Sequence, residues 1–228
     1  MKRGINKIKI FENLDKETKE KLSSVSKIKD YKKGELLYSN KEKINTVYFV
    51  LEGVAGLYKP NPDNTRKVVF IFGEGDVLNE VIIYENMTLL SCELLAPTKL
   101  LEIPREKFVE ILETSYPLAK GVIESLINKN RIMSHQLKNI SNSITVDRQI
   151  AFNLWRLGRD FGKNTPNGVE INFDLSITYL SEMLGAKRET VSRQVKILCE
   201  LGLISVTKKR FTIHKYDELL EYFHGENK

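Results

Sequence analysis

The chain has 228 residues, 41% hydrophobic and 29% charged, and 36 Lys and Arg against 30 Asp and Glu leave a net charge of +6. That length accommodates one large or two ordinary domains with apolar cores and a solvated surface. No apolar run approaches a bilayer crossing, and MKRGINKIKIFENLD lacks the uninterrupted apolar stretch of a signal peptide, so a cytoplasmic protein without membrane contact is expected.

Residues 12–28 read as a short amphipathic helix capped by Asn13 or Asp15, with Leu22 and Val25 on one face. From Ile28 to about Ile103 the texture changes to short β-branched and aromatic runs: 35–38, 46–51, 54–58, 67–71, 89–95 and 99–103. Turns at Gly34, Gly53, Pro60–Asn64, Gly73–Gly75 and Pro97 separate them, the pattern of a sandwich or barrel. Pro104 opens a short helix over 105–113, and Pro117 a long one reaching about Asn142.

On the long helix Ala119, Ile123, Leu126, Asn130, Met133, Leu137 and Ile140 recur at alternating spacings of 4 and 3. That is a heptad seam with one Asn at an a position, a device that fixes register in a two-stranded coil. The same stripe would suit a core helix packed on its own barrel. A strict 3.5 period over three heptads is narrower than such packing requires, which favours a homodimer through Ile123, Leu126, Asn130, Met133, Leu137 and Ile140.

Ser143–Thr145 makes a break, and 146–161 forms a further helix that holds Trp155 and, near its end, Gly158, a place for close packing. Residues 162–168, GKNTPNG, read as a turn and 169–173 as a strand. Next come two helical patterns, Ser176–Leu184 with Ile177, Leu180 and Leu184, then a run with Val191, Val195, Leu198 and Leu201, hinged at Gly185. Two short helices joined by a Gly-containing turn make a helix-turn-helix. Runs 204–206 and 211–213 form a hairpin around Lys208, Lys209 and Arg210, and 216–223 a closing helix. The expected fold class is α+β: a β domain of sandwich or barrel type (1–116), a dimerisation helix and hinge (117–143), and a winged helix-turn-helix domain (144–228).

Removing the apolar face of the second helix leaves Arg188, Glu189, Ser192, Arg193 and Lys196 outward. Arg pairs bidentately with guanine, Glu accepts from cytosine, and Ser is adaptable. Glu189 and Arg193, four apart, can also orient each other. Residues 186–215 carry eight Lys and Arg against Glu189 and Glu200, a local +6 that equals the charge of the whole chain. A basic footprint on one reading unit is the electrostatic signature of double-stranded DNA binding.

The order of parts resembles the CRP/FNR transcription regulators over essentially the whole chain, which implies that residues 1–116 are a β-roll sensor domain. The most specific stretch is Arg188-Glu189-Thr190-Val191-Ser192-Arg193, similar to the family's recognition helix, supported by Lys33-Gly34-Glu35, the Gly53 turn and Gly75–Glu80. The E-x-x-S-R form looks more like the FNR branch than the CRP branch. The resemblance implies a two-fold site with TTGAT-like half-sites, one per subunit, read in major grooves about 34 Å apart. Bases fall to Arg188, Glu189, Ser192 and Arg193, with Arg193 on guanine, Glu189 on the paired cytosine and Ser192 near the T methyl. Phosphates fall to Thr190, Lys187, Lys196, Lys208 and Lys209, which position without specifying. RNA polymerase would be a partner if the protein activates. Lys187 departs from the Ser or Thr that often opens this helix, giving up a side-chain cap.

The resemblance also raises a cyclic nucleotide, an iron–sulfur cluster and haem as sensor ligands. Glu80 stands at the family's Glu position but Asn79 replaces Gly, and no Arg or Lys occurs from Val68 to Thr98. A buried phosphate without a cation is disfavoured, which argues against cyclic AMP, although backbone amides can cradle a phosphate. Cys92 and Cys199 are too few for a cluster of about four thiolates. His135, His214 and His224 give no haem pattern. Cys92, in the strand expected at the pocket, suits a buried inert thiol better than a redox one. The expected lining is Val81, Ile83, Leu89 and Leu90 with Asn79, Glu80 and Asn130 as polar neighbours, suited to a small neutral effector or to none. An enzyme is disfavoured, since residues 28–103 contain no His and no nucleophile–base set stands out. A ligand-binding module acting through protein partners is opposed by the intact Glu189/Ser192/Arg193 face.

Overall fold

The computed structural model describes residues 4–140 and 144–225, with side chains of the long helix described as far as Gln136. The chain divides into two compact units, Met1–Ser134 and His135–Lys228.

The first unit opens with two 3-10 turns, Ile5–Lys7 and Lys9–Phe11, whose Ile5, Ile8, Ile10 and Phe11 are buried. These turns precede the segment 12–28 that the sequence pattern assigned to a helix, and within it α1 spans only Lys16–Val25. Asp15 is its cap: the carboxylate accepts from Thr18 N at 2.7 Å and Thr18 Oγ1 at 2.9 Å, bonds that hold it below the usual carboxylate range. α1 stops at Val25 because β1 (Lys27–Tyr31) begins there, a strand the sequence reading missed.

Six further strands follow: β2 (Leu36–Tyr38), β3 (Thr46–Glu52), β4 (Ala55–Pro60), β5 (Arg66–Phe72), β6 (Ser91–Leu94) and β7 (Thr98–Pro104). They pair antiparallel in two sheets, β1-β7-β3 and β2-β6-β4-β5, the faces of a β-roll. Alternation along β3 and β7 explains how the first sheet is buried on both sides. Val47, Phe49, Leu51, Leu101 and Ile103 join a cluster with the N-terminal turns and helices, while Val50 and Leu100 join Leu57, Phe70, Phe72 and Leu94 from the second sheet. Gly53, with φ 102°, turns β3 into β4 where a Cβ would lie 2.5 Å from Thr98 Oγ1, so no other residue fits.

Helix α2 (Arg105–Thr114) leads into α3 (Tyr116–Ile140). The start of α3 is part of the roll: Leu118 and Val122 are buried in its core. The helix therefore does not separate from the sensor at 117 as the sequence division had it.

In the second unit α4 (Val146–Phe161) precedes a hairpin of β8 (Gly162–Thr165), where the sequence reading had placed a turn, and β9 (Gly168–Ile171), which begins one residue before the expected strand 169–173. Then come α5 (Ile177–Leu184), α6 (Arg188–Glu200), the hairpin β10 (Ile204–Thr207) and β11 (Arg210–Ile213), and α7 (Tyr216–His224). The sheet order is β10-β11-β9-β8. Gly158 of α4 lets the helix lie close: a Cβ there would meet Ile213 Cδ1 at 2.7 Å and Tyr216 at 3.1 Å.

Candidate nucleic-acid interface and sensor site

The helix-turn-helix is closed by local chemistry. Ser176 Oγ accepts from Tyr179 N at 3.0 Å to cap α5, and Gly185 ends it in the left-handed conformation, its N–H on Ser181 O at 2.8 Å. α6 then buries Val191, Val195 and Leu198. That rotation leaves Lys187, Arg188, Glu189, Ser192, Arg193 and Lys196 exposed and Thr190 half-buried. The structure thus brings the sequence-derived base-facing row together on one exposed helix face. Lys196 lies 3.7 Å from Glu200 one turn on.

Lys187 is the N-cap residue, in extended conformation and without a side-chain cap bond. Lys187→Ser is expected to stabilise the free protein by about 1 kcal/mol in urea denaturation. The same change should lower the salt slope of DNA binding by about 1 per subunit if the ammonium meets a phosphate.

Lys208 and Lys209 form the exposed tip of the β10–β11 hairpin, and Lys209 O accepts from Leu175 N at 2.8 Å. Arg210 behaves differently from its two neighbours. Its Nε donates to Asp174 Oδ1 at 2.9 Å and Nη1 to Ile171 O at 3.4 Å. Its charge is answered inside the unit, so it ties the hairpin to the segment before α5, a role the charge count missed.

In the sensor unit the 3-10 turn Glu80–Ile83 carries the buried Glu80. Arg105 grips this turn, donating to the carbonyls of Ile82, Ile83 and Tyr84. Asn79 spends its amide on β3, accepting from Tyr48 N and donating to Thr46 O, both at 2.9 Å. Glu80 faces α3, where Ser125 Oγ donates to it at 2.7 Å and Lys129 pairs with it. The Lys129 ammonium also donates to Val77 O at 3.1 Å and stands 4.7 Å from the Phe72 ring centroid. A cation therefore does reach this site, delivered by α3 rather than by the stretch after Glu80, and already partnered.

The remaining lining expectations separate. Val81 and Ile83 pack on the cluster around Phe49, and Leu90 on the one around Leu57. Leu89 is 58% exposed, and Asn130 is exposed, accepting from Ser134 Oγ at 3.3 Å. Leu89 and Asn130 thus stand on the surface of this chain, apart from Glu80. Cys92 is buried, and burial pushes its thiol up to about 12. Among the described residues no group of three His, Cys, Asp or Glu could hold a metal.

On α3 Ile123, Leu126, Ile127 and Met133 are 54%, 45%, 45% and 42% exposed, an outward apolar row beside exposed Asn130. Ile127 was not singled out in the heptad. The side chains of Leu137 and Ile140 lie outside the described residues. No helix among the described residues is long and apolar enough to cross a membrane.

Residues 28–115 match the cyclic nucleotide-binding domain and 148–222 the Crp-like helix-turn-helix domain. A global nitrogen regulator of Synechocystis sp. is 27% identical over 78% of this chain and 80% of its own. The chain belongs to the CRP/FNR family of transcription regulators. Another relative, the cAMP-activated global transcriptional regulator CRP of Pasteurella multocida, is 25% identical over 76% of this chain and 83% of its own. FixK2 of Bradyrhizobium japonicum shares the fold with a TM-score of 0.74 at 20% identity, over 86% of this chain and 96% of that one. A CRP/FNR-family regulator of Thermus thermophilus does so at 0.71 and 17%, over 87% and 98%. These relatives are regulators and not enzymes, and in this CRP/FNR member α5 and α6 are the helix-turn-helix.

Proposed function

We propose that the protein regulates transcription as a homodimer that reads a two-fold DNA site with TTGAT-like half-sites. The observation that carries this reading is the exposed row Arg188, Glu189, Ser192 and Arg193 on α6, opposite the buried Val191, Val195 and Leu198. Arg193 pairs with guanine, Glu189 accepts from the partnered cytosine and Ser192 meets a thymine methyl. Arg188 adds a further base contact, and Thr190, Lys187, Lys196, Lys208 and Lys209 hold phosphates. The outward row on α3 is the dimer seam, a self-complementary surface as two-fold assembly demands. A gel shift at two salt concentrations tests the reading. A TTGAT-N4-ATCAA duplex should bind far more tightly than its scramble, with affinity falling steeply as salt rises. Equal affinity for both duplexes, or a monomer in sedimentation, would sink it.

The sensor residues do not fit a cyclic nucleotide. A buried phosphate is held best by a free cation, and the cation at Glu80 is committed to that carboxylate. The site suits a small neutral effector or none. Adding cyclic AMP is therefore expected to leave the thermal midpoint unchanged. A ligand at about a hundredfold its Kd would add about 2.7 kcal/mol, a shift that calorimetry would detect.

A further inference from the structure

Buried ion pairs hold folds together poorly. Taking both charges out of water offsets most of their attraction, and an apolar pair of similar volume often serves as well. Glu80 and Lys129 are such a pair, with side chains 1% and 13% exposed. The best-attested use of a buried polar group on a packed helix is to fix its register. The surroundings of this pair are built for that use.

The carboxylate is held from both sides along the chain. Before it, Asp76 O accepts from Val50 N and Leu78 N donates to Tyr48 O, both at 2.9 Å, and Asn79 is bonded twice to β3. After it, Arg105 grips the carbonyls of Ile82, Ile83 and Tyr84. Facing it, α3 carries Leu118, Val122, Ser125, Lys129 and Ile132 inward. Ser125 and Lys129, one turn apart, take the two oxygens of that single carboxylate. The apolar members of the row could exchange places if the helix turned, because cores tolerate such swaps. Lys129 could not. A roll by one residue, about 100°, would put Asn130 in its place and leave Glu80 without a cation. The helix has a second fixed point at Gly121, where a Cβ would stand 2.6 Å from Ile10 O. Close approach there sets the spacing of α3 from the roll, and Lys129 sets its rotation.

We propose that the Glu80–Lys129 pair is a register pin, fixing the rotation of α3 on the roll and thereby which outward side chains meet the partner subunit, with no ligand required. This rests on the homodimer proposed above. Disulfide trapping of the full-length chain reads the rotation, since two cysteines close only when their Cα atoms come within about 7 Å. With Cys199→Ser as background, Ile123→Cys and Asn130→Cys should cross-link roughly tenfold faster than Glu124→Cys and Arg131→Cys. Protein unfolded in urea, dialysed and refolded in buffer alone should show the same contrast. In Glu80→Gln with Lys129→Met the contrast should fall to roughly twofold, and affinity for the two-fold duplex roughly tenfold, as only a fraction of α3 helices keep the competent rotation. Val122→Ala, which loosens the same row and leaves the pair intact, should keep both. A double variant that keeps the contrast or the affinity, or unfolds far more easily than Val122→Ala, overturns the inference. So does a contrast lost in Val122→Ala, or one that refolded protein regains only with a co-purified small molecule. Wild type that cross-links at none of the four positions and sediments as a monomer overturns the homodimer itself.

Discussion

Lys129→Ala is expected to destabilise the sensor unit by about 3–5 kcal/mol, because it strands a buried carboxylate. Glu80 has a side chain only 1% exposed, and without Lys129 it keeps the Ser125 hydroxyl as its remaining polar contact. The pair as a whole contributes much less than either loss suggests, since burying both charges is itself costly. Glu80→Gln combined with Lys129→Met should therefore recover most of the stability lost in the single change. The molecule offers a selective probe. Its one tryptophan, Trp155, lies in α4 of the other unit. Urea unfolding followed by far-UV dichroism should show an early sensor transition in Lys129→Ala while the tryptophan transition stays put. If the single and double variants unfolded alongside wild type, the pair would not be buried as described.

Arg193→Ala should produce the largest change on DNA. Removing one bidentate guanine contact costs about 1–3 kcal/mol, and the proposed homodimer loses it at both half-sites, so dyad affinity should fall by roughly one and a half to four orders of magnitude. Binding to scrambled duplex should fall only slightly, and the salt slope should stay near the wild-type value, because a base contact releases few counterions. A uniform loss on both duplexes with a shallower slope would instead make Arg193 a phosphate contact. Glu189 would then need another explanation, since its role depends on the base pair Arg193 selects.

How much of this could be read from residues alone depended on the strength of each local pattern. α6 was legible because Val191, Val195 and Leu198 fix its inner face, and the outer face follows by subtraction. β1 was not, because Lys27-Ile28-Lys29-Asp30-Tyr31 lacks apolar alternation and depends on pairing with β7. β8 hid inside GKNTPNG, whose composition is that of a turn although four of its residues pair with β9. The cation at Glu80 was missed for a different reason. It was sought in the following loop, whereas it comes from a helix distant in sequence. A signal existed on α3, where Leu118, Val122, Ser125, Lys129 and Ile132 repeat at spacings of 4, 3, 4 and 3. That is a second heptad row, inward, running beside the outward one.

Two rows on one helix give the protein an evolutionary freedom. The inward row is tied to folding, so drift there is purged by loss of the roll. Ile123, Leu126, Ile127 and Met133 belong to neither core cluster and are 42–54% exposed, so exchanging one of them costs the roll little. In the proposed homodimer, descendants of this chain can thus acquire new pairing preferences without first risking collapse of the sensor.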